Sequence, residues 1–386
     1  MAAITAIREM RGISSDVEID VFCDEHYPYY PKPNLIDLVA GRRTIKETIL
    51  YDIDWYEKQS ANLMMSKPVT QIETGTKTVI TTSTTHRDYD SLLMAVGCVP
   101  FVPPFEGLSK RNVFVARTID DALNIKEAVK GSGREIIIGG GILGIELAAA
   151  IKEVGGDPIA VTNIETLLPQ QLDETGSQVL LAHLEKMGLI VLRGFTCVKI
   201  SGEHAADGIV SDKGYKIEGD VVIVATGVRS NTQIAKNSGI KVSRGIVADD
   251  YMQTSASGVY AAGDCMEWNG QWNGIIPWAT ASARVAAKNM LRHGSAKFGG
   301  IIASNTLQVV GIDLSSIGVT NPKSPEYETL VSADEKKGTY YKAVIKNNII
   351  VGAICLGNRK LAMKLRGLVS RMADVSKMKQ SIFESD

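Results

Sequence analysis

The chain has 386 residues, 45% of them hydrophobic and 22% charged, with 42 basic against 43 acidic side chains and a formal net charge of −1. That length suits two or three domains with ample core, and the composition argues against a disordered or fibrous chain. The near-zero charge argues against a nucleic-acid partner, and no apolar run reaches the length of a membrane span.

The first residues, MAAITAIREMR, carry no signal-peptide pattern. Cys23, Cys98, Cys197, Cys265 and Cys355 are far apart, with no CxxC pair. That spacing fits a reduced, cytoplasmic protein whose cysteines are small apolar packing residues. A helix is expected over Ala2–Met10, with Ala3, Ile4, Ile7 and Met10 apolar. Glu18–Phe22 alternates as a strand and ends at the acidic pair Asp24-Glu25. In a dinucleotide fold an acid at the end of the second strand holds a ribose, and a glycine turn stands about 20 residues before it. Counting back from Glu25 meets no glycine turn.

His26–Leu38 is punctuated by proline and rich in tyrosine, so a shaped loop is expected there. Its one cation, Lys32, reads equally as a solvated lysine and as a functional one. Two short strand-like runs follow within Met64–Thr85. Asp90–Pro104 supplies an apolar strand, Gly97 and then prolines, which mark a crossing into another domain.

Arg134–Ile151, REIIIGGGILGIELAAAI, is the segment around which the rest is organised. Ile136-Ile137-Ile138 reads as a buried parallel strand. Gly139 allows a tight turn, Gly141 lets the backbone approach a pyrophosphate, and Gly144 lets helix and strand pack closely. The helix start at Ile142 and Leu143 offers free N–H groups and partial positive charge to phosphates. Pro158–Thr162 is a second strand, with Thr162 where a ribose-binding acid is expected. Thr162 can hydrogen-bond a ribose hydroxyl. No Arg or Lys lies between Asn163 and Leu172, which leans toward NADH over NADPH and leaves the choice open.

Asp220–Val224 is a further buried strand before Ala225-Thr226-Gly227. Gly258–Asp264 is a short strand ending in Gly263-Asp264, either an ordinary tight turn or a carboxylate placed for sugar hydroxyls. Pro277-Trp278-Ala279 opens a helix to about Leu291, with proline in its first turn. Composition shifts near Phe298. Tyr340–Ile345 and Ile349–Cys355 flank Lys346-Asn347-Asn348 as a hairpin, and a basic helical stretch spans Arg359–Met378. That stretch reads as a solvated face rather than a membrane surface.

DSLLMAVG, IIIGGGILGIELA, DVVIVATGVRSN and TSASGVYAAGD occur in that order, after YPKPNL and before NTLQVVGIDLSSIG. This set resembles the FAD- and pyridine-nucleotide-dependent disulfide oxidoreductase superfamily. The resemblance is to its NADH:rubredoxin and ferredoxin reductases and the flavin-NAD part of nitrite reductase large subunits. It implies an α/β fold of two interleaved Rossmann-like dinucleotide-binding domains plus a small C-terminal α+β domain. The FAD domain would comprise residues 1–106 and 232–297, the NAD(P) domain 107–231 and the C-terminal domain 298–386.

The same resemblance places FAD contacts at Glu25, Lys32, Ala95, Gly97, Gly263, Asp264, Trp278 and Ala279. It places nucleotide contacts at Gly139, Gly141, Ile142, Leu143, Gly144, Thr162, Ala225 and Gly227. Glu146 would lie beside the nicotinamide and Lys32 beside the flavin, as the catalytic pair. Hydride would pass from nicotinamide to flavin, with the helix start at Pro277-Trp278-Ala279 stabilising the reduced ring. Electrons would go on to a rubredoxin- or ferredoxin-like acceptor, and the protein would be a homodimer without a metal.

Three departures qualify the resemblance. The loop at residues 26–40 has no cysteine, which argues against thiol-disulfide chemistry. Asp37 stands where some relatives have a lysine that pairs with the nicotinamide-side glutamate. The first FAD GxGxxG and its strand are not seen, for which a misplaced or truncated start is the expected cause, with weakened FAD binding as the consequence. The alternative reading is a non-catalytic nucleotide-binding protein or subunit with impaired FAD binding.

Overall fold

The computed structural model describes residues 1–82 and 86–384; the end of the expected run at Thr85 lies outside them. In chain order, the elements that frame the site begin with α1 (Ala2–Ile13), β1 (Ile19–Phe22), α2 (Asn34–Val39), β2 (Ala61–Met64), β3 (Leu92–Met94) and β4 (Cys98–Pro100). Next come β5 (Val113–Val115), β6 (Glu135–Ile138), α3 (Ile142–Glu153), β7 (Pro158–Val161), α4 (Glu174–Lys186), β8 (Ile190–Leu192) and β9 (Val221–Val224). Then follow β10 (Val259–Ala261), α5 (Ile276–Leu291), β11 (Ser304–Val309), β12 (Ile312–Gly318), β13 (Glu328–Asp334), β14 (Thr339–Lys346), β15 (Ile349–Leu356) and α6 (Arg359–Ser370). The chain divides into two units: Met1–Asn34, Arg43–Val99 and Val228–Ile301 form one, and Leu35–Arg42, Pro100–Gly227 and Ile302–Asp386 the other.

In the first unit, Ile4, Ala6, Ile7 and Met10 bury one stripe of α1 in a core shared with Ala283, Ala286 and Ala287 of α5. The small residues of α5 let the two helices approach closely. From the last turn of α1, the Arg11 guanidinium donates to the carbonyls of Ser15, Val17 and Gln59 at 2.6–2.8 Å, which fixes the turn into β1. Two parallel pairs form separate two-stranded sheets, β1 with β2 and β3 with β10.

In the second unit, five parallel strands run in the order β8-β7-β6-β9-β5. Ile136, Ile137, Val222 and Ile223 at its centre are fully buried, as strands covered on both faces require. Each such side chain contributes about 1.5–3 kcal/mol. An antiparallel sheet follows in the order β11-β12-β15-β14-β13. Leu361, Leu365, Leu368 and Val369 of α6 share a core with its Ala343, Ala353 and Cys355. Asn347 and Asn348, at φ 51° and 63°, make the two-residue turn between β14 and β15.

Two expected spans need correction. The loop expected through Leu38 gives way to α2 at Asn34, because Leu35, Ile36, Leu38 and Val39 are all buried. The helix expected through Met378 stops at Ser370. Met372 turns left-handed at φ 48°, and residues 373–375 pair with the hairpin instead, through Ile350 N–H to Ala373 O at 3.0 Å and Val375 N–H to Asn348 O at 2.8 Å.

Candidate functional site

The glycine turn joins the carboxyl end of β6 to α3. Gly139 sits at φ 145°, and a Cβ built on it would stand 2.2 Å from the Ala225 carbonyl oxygen. A Cβ on Gly144 would stand 2.1 Å from the Gly139 carbonyl oxygen. These two glycines are demanded by packing within the fold. Gly141 differs: a Cβ there meets nothing within 4 Å, and Gly141 caps α3 without a side-chain hydrogen bond. The first amides of α3, at Ile142, Leu143 and Gly144, therefore begin at an open position, where the glycine cap has no side chain to accept from them. Gly155 and Gly156 end the helix, and a Cβ on Gly156 would meet Ile151 at 2.5 Å.

Thr162 follows β7 and is buried at 6% exposure. Its side chain packs on Gly140, and its hydroxyl accepts from the Ile164 amide at 3.4 Å. Gly227, at φ 110°, accepts from the Phe101 amide at 2.9 Å beyond the end of β9.

Glu146 projects from the second turn of α3 and accepts a 2.7 Å hydrogen bond from the Val310 amide. Burial raises its carboxyl above the ordinary value; the Val310 bond and the Arg42 charge oppose that rise, and Asp37 adds to it. Asp37 pairs with Arg42 at 2.8 Å. The cation near Glu146 is thus Arg42, and Asp37 holds it.

The first unit gathers a second set. A Cβ on Gly263 (φ 81°) would lie 3.0 Å from Ala2 Cβ and 3.6 Å from Ala279 Cβ, and its amide donates to Ser282 Oγ at 3.1 Å. The starts of α1 and α5 therefore converge on Gly263-Asp264. Trp278 is 1% exposed, and its indole N–H has no acceptor among the described residues. Asp264 faces Cys98, whose Sγ lies 3.7 Å from Oδ2. Ala95 and Gly97 lead from β3 to β4 beside it, Gly97 at φ 66° accepting from the Asn231 amide at 3.0 Å. Glu25 and Lys32 form one ion pair at 2.7 Å, and Tyr30 donates to the same carboxylate. Lys32 also stands 4.2 Å above the Tyr30 ring.

Residues 1–285 match the family described as pyridine nucleotide-disulphide oxidoreductase. The chain belongs to that family. Residues 304–373 match the rubredoxin NAD+ reductase C-terminal domain. Among family members it is 34% identical to a nitrite reductase [NAD(P)H] of Bacillus subtilis over 97% of this chain and 47% of the relative. It is 31% identical to the assimilatory nitrate reductase electron transfer subunit of the same organism over 100% of this chain and 50% of that one. The chain thus spans about half the length of these two relatives. It is 31% identical to NADH-rubredoxin oxidoreductase of Clostridium acetobutylicum over 95% of this chain and 91% of that one. The crystal structure of NADH:rubredoxin oxidoreductase from that organism superposes with a TM-score of 0.81 at 29% identity, covering 98% and 94% of the two chains.

Among the described residues of this family member no disulfide forms, and burial pushes three thiols up, Cys197 to about 11 and Cys265 and Cys355 to about 12. Among the described residues no group of acidic, histidine or cysteine side chains is arranged to hold a metal ion, and no helix is long and apolar enough to cross a membrane. Two residues that touch the candidate site escape a reading along the sequence: Val310, which reaches Glu146 by tertiary packing, and Tyr30, which donates to Glu25. Arg193 follows β8, and its Nη1 donates to the Glu165 carbonyl at 3.1 Å.

Proposed function

We propose that this chain is an NAD(P)H-dependent FAD oxidoreductase that passes electrons to a rubredoxin- or ferredoxin-like protein, with no cysteine taking part. The carrying observation is the open helix start at Gly141, flanked by two glycines that packing alone explains. A pyrophosphate needs the close approach that Gly141 allows and those amides. A second feature supports FAD in the first unit: a buried Trp278 donor without an acceptor among the described residues, at the helix start that meets Gly263-Asp264. Buried donors are satisfied in working proteins, and an electron-rich group supplies the acceptor.

Residues 1–106 and 232–297 serve as the FAD domain in this reading, 107–231 as the NAD(P) domain and 298–386 as the C-terminal domain. When bound, the two cofactors supply hydride transfer and the storage of electrons. The chain's own residues position them. Gly139, Gly141, Ile142, Leu143 and Gly144 hold the pyrophosphate of the nicotinamide nucleotide, with Thr162, Ala225 and Gly227 around it. Glu146 orients the nicotinamide. Asp264, Ala95 and Gly97 hold the flavin side, and Trp278 and Ala279 offer donors to its electron-rich edge. Glu25 meets the adenosine ribose, and Lys32 orients Glu25 through their ion pair. Five widely spaced cysteines with no disulfide among the described residues support a cytoplasmic setting, and the C-terminal domain serves as a homodimer face.

The test is an anaerobic titration of the FAD-loaded chain with NADH and NADPH, followed by the visible flavin band. Bleaching by either nucleotide is expected. A flavin-loaded chain that neither nucleotide reduces overturns the proposal.

A further inference from the structure

We infer that Arg193 receives the 2′-phosphate of NADPH and gives the second unit a preference for NADPH over NADH. The inference rests on the reading of the Gly139–Gly144 turn as a nucleotide site and deepens it.

Strand pairing places Arg193. β7 and β8 are parallel neighbours, with Val161 opposite Leu192. The Thr162 amide donates to Leu192 O at 2.9 Å, and the Phe195 amide donates to Thr162 O at 2.9 Å. Arg193 is thereby fixed beside the carboxyl end of β7, where the adenosine ribose of a dinucleotide rests in this architecture. Its guanidinium crosses the connection after β7 to reach the Glu165 carbonyl at 3.1 Å. No Arg or Lys follows Thr162 within residues 163–172, and this cation comes instead from the adjacent strand.

Charge then decides the preference. An acid after the second strand binds the ribose 2′-hydroxyl and repels a phosphate there. Here that place is Thr162, which is neutral, buried and occupied with the Ile164 amide, and Asn163 beside it is neutral too. The next acid along the chain is Glu165. Its carboxylate lies against Gly194, where a Cβ would stand 2.6 Å from Oε1. Arg193 bonds to the carbonyl of Glu165 and not to that carboxylate, and among the described residues no acid lies within ion-pair distance of Arg193. The guanidinium is exposed, and its present partner is an uncharged oxygen. A phosphate offers it charge-assisted, forked hydrogen bonds, which are stronger than the one it would give up.

The experiment uses the full chain and two probes that need neither flavin nor turnover, ADP-ribose and 2′-phospho-ADP-ribose, with binding measured by calorimetry. The phosphorylated probe is expected to bind about tenfold tighter, the worth of one charge-assisted hydrogen bond. In Arg193→Gln that gap closes while the ADP-ribose affinity is unchanged. Equal affinity in the wild type, or a gap that persists in Arg193→Gln, overturns the inference and leaves the nucleotide site standing. Binding of neither probe overturns the reading of the glycine turn together with the inference.

Discussion

The Glu146 carboxylate accepts a 2.7 Å hydrogen bond from the Val310 amide, so a side chain of the helix after the glycine turn holds the tip of the β11–β12 hairpin. His183 of α4 stands 3.2 Å from the carbonyl of the same residue. Val310 is buried and left-handed at φ 49°, a conformation that a β-branched residue adopts only when its surroundings impose it. Glu146→Ala leaves the buried amide unpaired and is expected to cost about 1–3 kcal/mol. Glu146→Gln keeps an acceptor and costs less. Urea denaturation of both variants checks the order; equal losses would show that the hydrogen bond contributes nothing.

The same carboxyl carries a pH signature. Burial raises it above the ordinary value of 4.5, so the native chain retains a proton where the unfolded chain has released it. The stability this contributes is complete below 4.5 and is lost as pH rises through the elevated native value. Glu146→Gln does not titrate, so its stability relative to wild type should climb across that window. Unfolding free energies at a series of pH values test this, and a constant difference contradicts it.

Asp173 has the opposite sign. It caps α4 by accepting from the Gly176 amide at 3.0 Å, and it accepts from Lys342 Nζ at 2.7 Å and Tyr340 Oη at 2.5 Å. Burial raises its carboxyl, but these hydrogen bonds outweigh burial and hold it below 3.8. Its contribution is present above 3.8 and is lost as pH falls through the depressed native value. The Lys342 side chain is only 10% exposed, so Asp173→Asn strands a buried cation and should cost about 3 kcal/mol. Chemical denaturation near neutral pH measures it, and a loss below about 1 kcal/mol would mean that water already satisfies Lys342.

What the sequence made legible was local. Three isoleucines, the glycines and an alanine-rich stretch specify β6, its turn and α3, because strand burial, backbone freedom and helix propensity all act within a few residues. Asn347-Asn348 marked its hairpin for the same reason. Arg193 was not legible, since its place depends on β8 pairing with β7. The ion pair of Lys32 with Glu25 was not legible either, because only the folded loop brings the two side chains together. The end of α6 was missed because buried Val375 and half-buried Met378 extend the apolar pattern of the helix into a segment that pairs with the hairpin instead.

Trp278 separates the empty from the loaded protein. Trp278→Phe deletes a buried donor that lacks an acceptor, which offsets part of the lost ring packing against Phe298, 5.1 Å away. The ligand-free chain should stay within about 1 kcal/mol of wild type. If the donor meets the flavin as proposed, FAD affinity should fall about tenfold. Equilibrium dialysis with FAD and thermal unfolding report the two quantities separately. Unchanged FAD affinity would show that the indole N–H does not face the flavin.

Gly141 and Gly144 should part company under the same substitution. Alanine at Gly144 would place its Cβ 2.1 Å from the Gly139 carbonyl oxygen, a contact with backbone that no rotamer relieves. The strand and helix must separate, at an expected cost of about 2–3 kcal/mol. Alanine at Gly141, where φ is −83° and nothing lies within 4 Å, strains neither backbone nor packing. Its stability should match wild type within about 0.5 kcal/mol. Its methyl group, however, occupies the space a pyrophosphate needs, so ADP-ribose binding should weaken at least about tenfold. Loss of binding with intact stability is a combination that a purely structural glycine cannot give. Gly141→Ala with wild-type affinity would remove the open helix start from the argument for nucleotide binding.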